Sequence, residues 1–418
     1  MKQISKFALT IAALSFGLFG LTSCEPENGP ENDSKYADRT YGNEAVASCE
    51  ALINQLNVAT KKIVGSRLTD EQTTSLTAAV ANDVQNVIIP TYTKLADAAV
   101  SLQKALGDLS AKEIKQADID AACTAFKEAR AWWEKSEAFL GGAASDFDID
   151  PTIDSWPLNR DLLLSYFQTG KYSDEAVEDA SILGFHALEF VLFRNGKNRT
   201  VAEFQTNDTY KGFTSVPAAE ELKYAQAVAK QLVTRCYQLQ VSWELTPDAN
   251  RLEAVKKAGL DYQTKNGRSF GWNMTNAGTS GSTFDGLADA IQQLLNDDEG
   301  SCAAIADEVG SGKIGNPFVS GYIFYVESPY SYNSITDFQN NIRSIENIWY
   351  GSTDGSKHPA KASLHQWFKD NDSATGNAVE NAIADAISKI GAMPAPFVKY
   401  VSTIWNKSFE DDKVIDLE

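Results

Sequence analysis

Apolar residues recur at intervals of three and four along most of the chain, whereas strict alternation of apolar and polar residues over five or more positions is scarce. This periodicity is typical of amphipathic helices, so the sequence predicts an all-α fold. Capping residues, glycines and prolines mark the ends of the helices, and Pro90 is expected to kink or break one of them. The predicted helices span 43–64, 70–106, 110 or 118 to 139, 158–168, 173–194, 216–245, 247–263, 284–309, 318–326, 335–350, 360–368 and 374–390.

The predicted helices fall into two halves. About four substantial helices lie on each side of a divide between Asn195 and Pro217. Four helices around a common core make the simplest helical bundle. We therefore expect two tandem four-helix-bundle repeats, an N-terminal bundle at 41–210 and a C-terminal bundle at 211–418.

The first 40 residues have a different character. Lys2 and Lys6 precede an apolar run that is too short for an ordinary spanning helix, so residues 1–23 are expected to be a secretory signal peptide. The run ends in Leu-Thr-Ser-Cys24, which resembles the lipobox of bacterial lipoproteins, whose cysteine carries the lipid. This implies a membrane-anchored lipoprotein, periplasmic or at the cell surface, with the outer membrane favoured. Residues 24–40 have little to bury and are expected to form a disordered acidic tether.

Charge and cysteine content exclude some classes of protein. The net charge is −19, and removal of residues 1–23 takes away two lysines and no acidic residue, which leaves −21. A chain with this negative charge is a poor nucleic-acid binder, because the phosphate backbone is also negatively charged. Apart from Cys24, the cysteines are widely spaced and form no CxxC, so we expect buried free thiols at Cys49, Cys123, Cys236 and Cys302.

Two metal-binding residue types stand in the apolar run 181–193. His186 and Glu189 are three residues apart, so a helix places both side chains on one face. Glu134 and Glu137 have the same spacing in an earlier helix. Helical bundles build metal sites from carboxylates and Glu/His pairs of this kind. A hydrogen-bonded core histidine is the alternative, and the spacing alone leaves both open.

Several motifs of hydrolases and nucleotide-binding proteins are absent from the sequence. There is no HExxH, and Phe190 follows Glu189, so the inverted HxxEH motif is absent as well. The sequence also lacks GxSxG, a P-loop and a dinucleotide-binding fingerprint. A peptidase built on this chain would therefore need another set of metal ligands.

Four segments together resemble the imelysin family. Its GxHxxE hallmark is matched by Gly184, His186 and Glu189, and the segments WEKSEAF at 133–139 and DPTIDSWP at 150–157 precede it in the family's order. The segment RSIENIWYG at 343–351 also looks like a family segment, so the resemblance covers the chain from about residue 41 onwards. One departure is Gly-Gly-Ala-Ala at 141–144, where the family pattern has a Phe-Gly-Pro type of ending.

The resemblance implies a functional site in a cleft between two four-helix bundles. The implied metal ligands are His186, Glu189, Glu134, Glu137 and Asp154. Arg130, Ser136 and Trp156 would orient these acids, and Arg343 and Glu346 would join the site from the second bundle.

Three functions are compatible with such a site. The first is capture of a metal ion or an iron-containing ligand during uptake, in which iron-transport components would be partners; carboxylates with one imidazole suit iron, and zinc is a possible alternative. The second is a metallopeptidase, with Glu189 or Glu134 as general base on a metal-bound water, although catalytic zinc more often has two or three histidine ligands. The third is metal-free binding of a peptide or organic ligand through Arg343.

Overall fold

Helices form nearly all of the regular structure, which confirms the predicted all-α class. The computed structural model describes residues 34–109, 113–169, 179–206, 216–320 and 325–405, and residues 33–418 form one compact unit. The predicted signal peptide and lipidated Cys24 lie outside the described residues, as does most of the predicted tether.

Ten helices are described before residue 210. They are α1 (Ser34–Ala37), α2 (Thr40–Val64), α3 (Asp70–Asp83), α4 (Ile89–Gly107), α5 (Gln116–Glu134), α6 (Ala143–Asp146), α7 (Asp150–Ile153), α8 (Arg160–Thr169), α9 (Gly184–Leu192) and α10 (Val201–Thr206). Two short antiparallel strands, β1 (Phe193–Arg194) and β2 (Lys197–Asn198), follow α9.

Ten further helices are described after residue 215. They are α11 (Ala218–Trp243), α12 (Ala249–Lys257), α13 (Phe270–Thr275), α14 (Leu287–Asn296), α15 (Cys302–Asp307), α16 (Asn316–Ser320), α17 (Ser334–Tyr350), α18 (Leu364–Asn371), α19 (Ser373–Gly391) and α20 (Phe397–Trp405). None of the helices in the described part of the chain is long and apolar enough to cross a membrane.

Two π-helical segments join neighbouring helices into continuous rods. Val84–Ile88 connects α3 to α4, and Glu308–Gly315 connects α15 to α16. Each segment lies just before a proline, Pro90 or Pro317, whose missing N–H interrupts the ordinary helical ladder. The disruption expected at Pro90 is therefore absorbed by a π segment, and the helix continues.

The predicted helix at 173–194 begins later than expected. Leu183 is extended and Gly184 has a φ of +73°, so α9 begins only at Gly184; residues 170–178 lie outside the described part of the chain. The predicted helix to 139 likewise ends at Glu134, and a 3-10 turn at Glu137–Phe139 follows it. Periodicity does not detect such breaks, because the apolar pattern runs through them.

Helix packing brings together segments that are remote in sequence. Helix α2 packs against α14, α15 and α19, whereas α11 packs against α4 and α9. Helices α5 and α17 also contact each other, which joins the first half of the chain to the second. The two tandem repeats and their boundary at 210/211 stay predictions. The four cysteines of the described part are buried free thiols, as their spacing predicts: Cys49, Cys123, Cys236 and Cys302.

Candidate metal centre

Helix α9 brings the GxHxxE residues into the interior. All nine of its residues are buried, including His186 and Glu189. Its first residue, Gly184, has a left-handed backbone, and a Cβ there would lie 1.9 Å from the carbonyl oxygen of Ile153. Only glycine permits this contact between α9 and the end of α7. The contact places Asp154, the next residue after α7, beside His186.

Asp154 lies at the centre of the cluster. Its Oδ1 atom is 3.1 Å from His186 Nε2, and its Oδ2 atom accepts a hydrogen bond of 2.7 Å from the indole N–H of Trp133. Arg130 also forms an ion pair with Asp154 Oδ1. Burial opposes the charge of Asp154, but Arg130 and then His186 outweigh it and hold the pKa of Asp154 below its usual value.

Arg130 links carboxylates from both halves of the chain. Its Nη2 atom is 2.6 Å from Glu134 Oε1 and 2.5 Å from Glu327 Oε1, and its Nε atom is 3.9 Å from Asp337. Burial disfavours the guanidinium charge, yet the carboxylates of Asp154 and Glu134 outweigh burial and raise the pKa of Arg130. Arg130 therefore acts as a permanent cation within the cluster.

The second half of the chain supplies residues that the sequence did not indicate. Glu327 lies in an irregular segment, and Lys313 lies in the π segment 308–315, with its Nζ atom 3.3 Å from Glu327 Oε2 and 3.2 Å from Asn341 Oδ1. The amide of Asn341 in turn donates to Glu134 Oε2 at 2.5 Å. Asp337, also on α17, accepts hydrogen bonds of 2.5 Å from Ser328 and Asn333.

Glu189 holds this second-half segment in place. Its Oε1 atom accepts hydrogen bonds from the backbone N–H of Tyr330 (3.1 Å), the backbone N–H of Ser331 (2.7 Å) and the hydroxyl of Ser331 (2.6 Å). Its Oε2 atom is 3.7 Å from His186 Nδ1. Glu189 therefore positions the 330–331 backbone, and through it the nearby Glu327, rather than facing the centre of the cluster.

The cluster contains more carboxyl groups than basic groups. Burial raises the pKa of Glu134 and Glu137 well above their usual values, even though Arg130 and Lys313 oppose the shift. The pKa of an isolated buried histidine is lowered by burial. Burial acts on His186 in the same way, but the charge of Asp154 outweighs it and raises the pKa of His186 to about 9. The cluster thus contains six buried carboxyl groups, two permanent cations and one histidine. The carboxyl groups are those of Glu134, Glu137, Asp154, Glu189, Glu327 and Asp337, and the basic groups are those of Arg130, Lys313 and His186.

Two sets of three side chains are close enough to hold a metal ion. One consists of Asp154, His186 and Glu327, and the other of Glu134, Glu137 and Asp154; in each set the possible ligand atoms lie within 4.8 Å of one another. His186 Nε2, Glu134 Oε1 and Glu327 Oε2 are buried and have no hydrogen-bond partner of good geometry among the described residues, although each makes the ion-pair contact given above, with Asp154, Arg130 and Lys313 respectively. Buried polar atoms normally have such partners, so these atoms fit a cation that would bind them. Asp154 belongs to both sets.

Six of the predicted residues lie outside these two sets: the predicted metal ligand Glu189 and Arg130, both described above, and Arg343, Glu346, Ser136 and Trp156. Arg343 is half-buried and donates to Asn340 at 3.2 Å, and Glu346 accepts hydrogen bonds from exposed Ser356, the shorter of 2.6 Å. The face of α17 that meets the cluster carries Asp337 and Asn341 instead. Ser136 donates to the carbonyl of Trp133 at the end of α5, and the ring of Trp156 packs edge-on against Tyr325.

The cluster residues that the sequence analysis did not predict differ in how clearly the sequence pattern marks them. Glu327 follows no periodic pattern, so nothing marked it. Asp337, Asn341 and Ser344 recur at four and three, which places three polar residues on one face of a helix between buried apolar positions. This spacing is visible in the sequence, and it predicts the face of α17 that meets the cluster.

Comparison with known proteins relates most of the described domain to one family. The family model for imelysin, peptidase family M75, matches residues 88–412. The chain is 24% identical over 313 residues to iron-regulated protein A of Synechococcus elongatus, which covers 75% of this chain and 74% of that protein.

A solved structure of a relative has a similar fold. A candidate iron-regulated protein A precursor from Parabacteroides distasonis superposes with a TM-score of 0.67 at 26% identity, covering 82% of this chain and 91% of that one. An imelysin-like protein from Psychrobacter arcticum gives a TM-score of 0.49 at 14% identity, covering 81% and 93%. The match of the family model over most of the chain shows that this protein belongs to the imelysin family.

Proposed function

We propose that this protein binds a metal ion, with iron favoured, at the buried cluster centred on Asp154, and takes part in the uptake of iron or of an iron-containing ligand. The observation that carries the proposal is the surplus of buried carboxyl groups around His186 Nε2, which makes a 3.1 Å ion-pair contact with Asp154 Oδ1 without a hydrogen bond of good geometry. A buried charge is unfavourable unless it is paired, so a bound cation would stabilise this arrangement.

The donor set supports iron over softer metals. Asp154 and Glu327 offer carboxylate oxygens and His186 offers one imidazole nitrogen, a mixture that suits iron and also accommodates zinc. The four buried cysteines of the described domain lie outside both sets of ligands, so no thiolate would select a soft metal. The names of the relatives, iron-regulated protein A and its candidate precursor, agree with iron.

A metallopeptidase is the less well supported alternative. The general base would be Glu189 or Glu134, but Oε1 of Glu189 already accepts three hydrogen bonds, and Oε2 of Glu134 accepts one from Asn341. Glu134 is also completely buried. A peptide bond would have to reach an interior cluster, whereas an ion needs only a narrow path.

The proposal includes anchoring outside the cytoplasm. Cys24 in its lipobox-like sequence would carry the lipid, and the acidic residues that follow would separate the domain from the membrane. Labelling of expressing bacterial cells with a radioactive fatty acid tests this: the wild type is expected to be labelled and Cys24→Ser unlabelled. Equal labelling of both proteins would exclude Cys24 as the lipid site.

Titration calorimetry of the mature domain with Fe²⁺ under anaerobic conditions tests metal binding. We expect the wild type to bind the ion, and His186→Ala and Glu327→Gln each to weaken binding about 100-fold, because each removes a ligand. Glu346→Gln is the matched control, since it neutralises a carboxylate that lies outside the cluster, and it should bind as the wild type does.

Two results would count against the proposal. The first is a folded wild type that releases no binding heat with either Fe²⁺ or Zn²⁺. The second is binding that Glu346→Gln weakens as much as Glu327→Gln does, since the ion would then be bound elsewhere on the acidic surface.

A further inference from the structure

Lys313 is a buried lysine among carboxylates, and its surroundings differ from those of Arg130. Its side chain is 3% exposed. The ammonium is 3.3 Å from Glu327 Oε2 and 4.0 Å from Glu137 Oε1, and it is also 3.3 Å from Glu308, whose side chain is 52% exposed. Lys313 therefore touches both the buried cluster and a carboxylate at the surface.

The π segment produces this dual contact. In a π helix the hydrogen bonds run from residue i to i+5, so residues five apart lie one turn above another. Glu308 and Lys313 are five apart within the segment Glu308–Gly315. In an ordinary α-helix the side chain five residues on points to a different face. The segment thus aligns a surface acid with a buried ammonium.

The ammonium lies beside the second set of possible ligands. Glu137 belongs to that set, and Asn341 links Lys313 to a second member, Glu134: its amide oxygen accepts from the Lys313 ammonium and its amide N–H donates to Glu134 Oε2. Glu134 Oε1 is buried and lies 2.6 Å from Arg130 Nη2, without a hydrogen bond of good geometry. The set of Glu134, Glu137 and Asp154 therefore has three carboxyl groups and two neighbouring cations: Arg130 pairs with Glu134 and Asp154, and Lys313 lies beside Glu137.

We propose that Lys313 takes the place of a second cation in the cluster, so that the ammonium limits the protein to one metal ion and its removal opens a second divalent-cation position at Glu134, Glu137 and Asp154. This inference rests on the proposed metal binding at Asp154, His186 and Glu327. Lysine suits the role because its charge is compact and its stem is flexible, whereas the guanidinium of Arg130 is held by several carboxylates at once.

Glu308 provides the position to which the ammonium can move. Because Lys313 already lies 3.3 Å from this half-exposed carboxylate, a small displacement of the flexible lysine stem would carry the charge toward solvent without leaving it unpaired. Glu308→Gln leaves the buried ligands intact and removes only the outer partner.

The experiment measures the number of Zn²⁺ ions bound per chain for the wild type and for Lys313→Met, which removes the charge but retains an unbranched side chain. We expect one ion for the wild type and two for Lys313→Met. Lys313→Arg keeps a cation and should bind one. Lys389→Met is the matched control, because Lys389 forms a surface ion pair with Glu44, and it should also bind one.

Thermal unfolding supplies a readout that does not depend on counting ions. Lys313→Met without metal should melt below the wild type, because buried carboxylates lose their counter-charge, and Zn²⁺ should raise its melting temperature more than it raises that of the wild type. A Lys313→Met protein that stays unfolded with Zn²⁺ present would overturn the inference, since a cation is expected to replace the ammonium.

The outcomes separate this inference from the proposed function. One ion for both proteins would overturn the role of Lys313 and leave metal binding standing. No ion for the wild type but one for Lys313→Met would support the role of Lys313 and contradict metal binding by the natural protein. No ion for either protein would overturn both.

Discussion

Gly184 allows helix α9 to begin directly against the end of α7. Its φ of +73° is unfavourable for any residue with a Cβ, and the added atom would also lie 1.9 Å from a backbone oxygen of Ile153. A backbone atom cannot move aside as a flexible side chain can. The glycine of the motif therefore sets the distance between Asp154 and His186, which provide two of the proposed ligands.

Gly184→Ala should be much more destabilising than an alanine at another left-handed glycine. Gly259 is the matched control, because its φ is +69° and nothing lies within 4 Å of an added Cβ. We expect Gly259→Ala to lower the free energy of unfolding by about 1 to 2 kcal/mol, and Gly184→Ala by about 3 kcal/mol or more. Urea denaturation measures both. Equal losses would show that Gly184 is needed for its backbone angle alone.

Asp337 makes stability depend on pH. Burial raises its pKa from 3.8 to about 7, so the folded protein keeps a proton that the unfolded chain releases. A raised pKa gives stability that is fully present below about pH 4 and is lost as the pH rises through about 7. Asp150 acts in the same direction, since burial raises its pKa to about 7 as well.

The free energy of unfolding of the metal-free protein should therefore fall between pH 4 and pH 7. Asp337→Asn cannot ionise, so its fall should be smaller, by up to roughly 4 kcal/mol. Urea titrations in the presence of a chelator, at several pH values, measure the difference. Parallel curves for the two proteins would mean that Asp337 is ionised at neutral pH in the folded state.

At the scale of elements, the site depends on where helices end and which faces they present. His186 and Glu189 were predictable because a short spacing in an apolar run marks one buried helix face. Arg343 and Glu346 were expected from the resemblance, but on α17 they lie roughly 120 to 180° around the helix from Asp337, at 100° per residue. The face of α17 that carries Asp337 and Asn341 is the buried one. Sequence similarity alone does not show which face of a helix is buried.

Glu189 connects α9 to the segment before α17. Its three accepted hydrogen bonds are charge-assisted, and replacement by glutamine removes the charge. Glu189→Gln should lower the free energy of unfolding by about 1.5 to 3 kcal/mol and speed hydrogen exchange at the amides of Tyr330 and Ser331. In Glu346→Gln, where the carboxylate accepts from exposed Ser356, the change should stay within about 0.5 kcal/mol. Unchanged exchange at both amides would contradict this role.

At the scale of the whole molecule, the cluster joins segments that are far apart in the chain. The hydrogen bond between Glu134 and Asn341 spans 207 residues, and α5, α9 and α17 all contribute to the cluster. Helical periodicity predicted the fold class because it is a local property. Glu327 and Lys313 were not predictable, since their role arises from tertiary contacts between an irregular segment, a π segment and distant helices.

The acidic surface charge and the buried carboxylates have separate consequences. The net charge of −19 attracts cations weakly over the whole surface, and added salt screens that attraction. A buried site is screened much less. We therefore expect the ion to bind inside the domain, between Asp154, His186 and Glu327, rather than on its surface.

Anomalous X-ray diffraction from crystals of the mature domain grown with Zn²⁺, recorded on both sides of the zinc absorption edge, tests that position most directly. We predict one strong peak at bonding distance, about 2.0 to 2.2 Å, from His186 Nε2 and from carboxylate oxygens of Asp154 and Glu327. The same peak should be absent from crystals of His186→Ala. Zinc peaks confined to surface carboxylates, with none inside the cluster, would show that the ion does not bind between Asp154, His186 and Glu327.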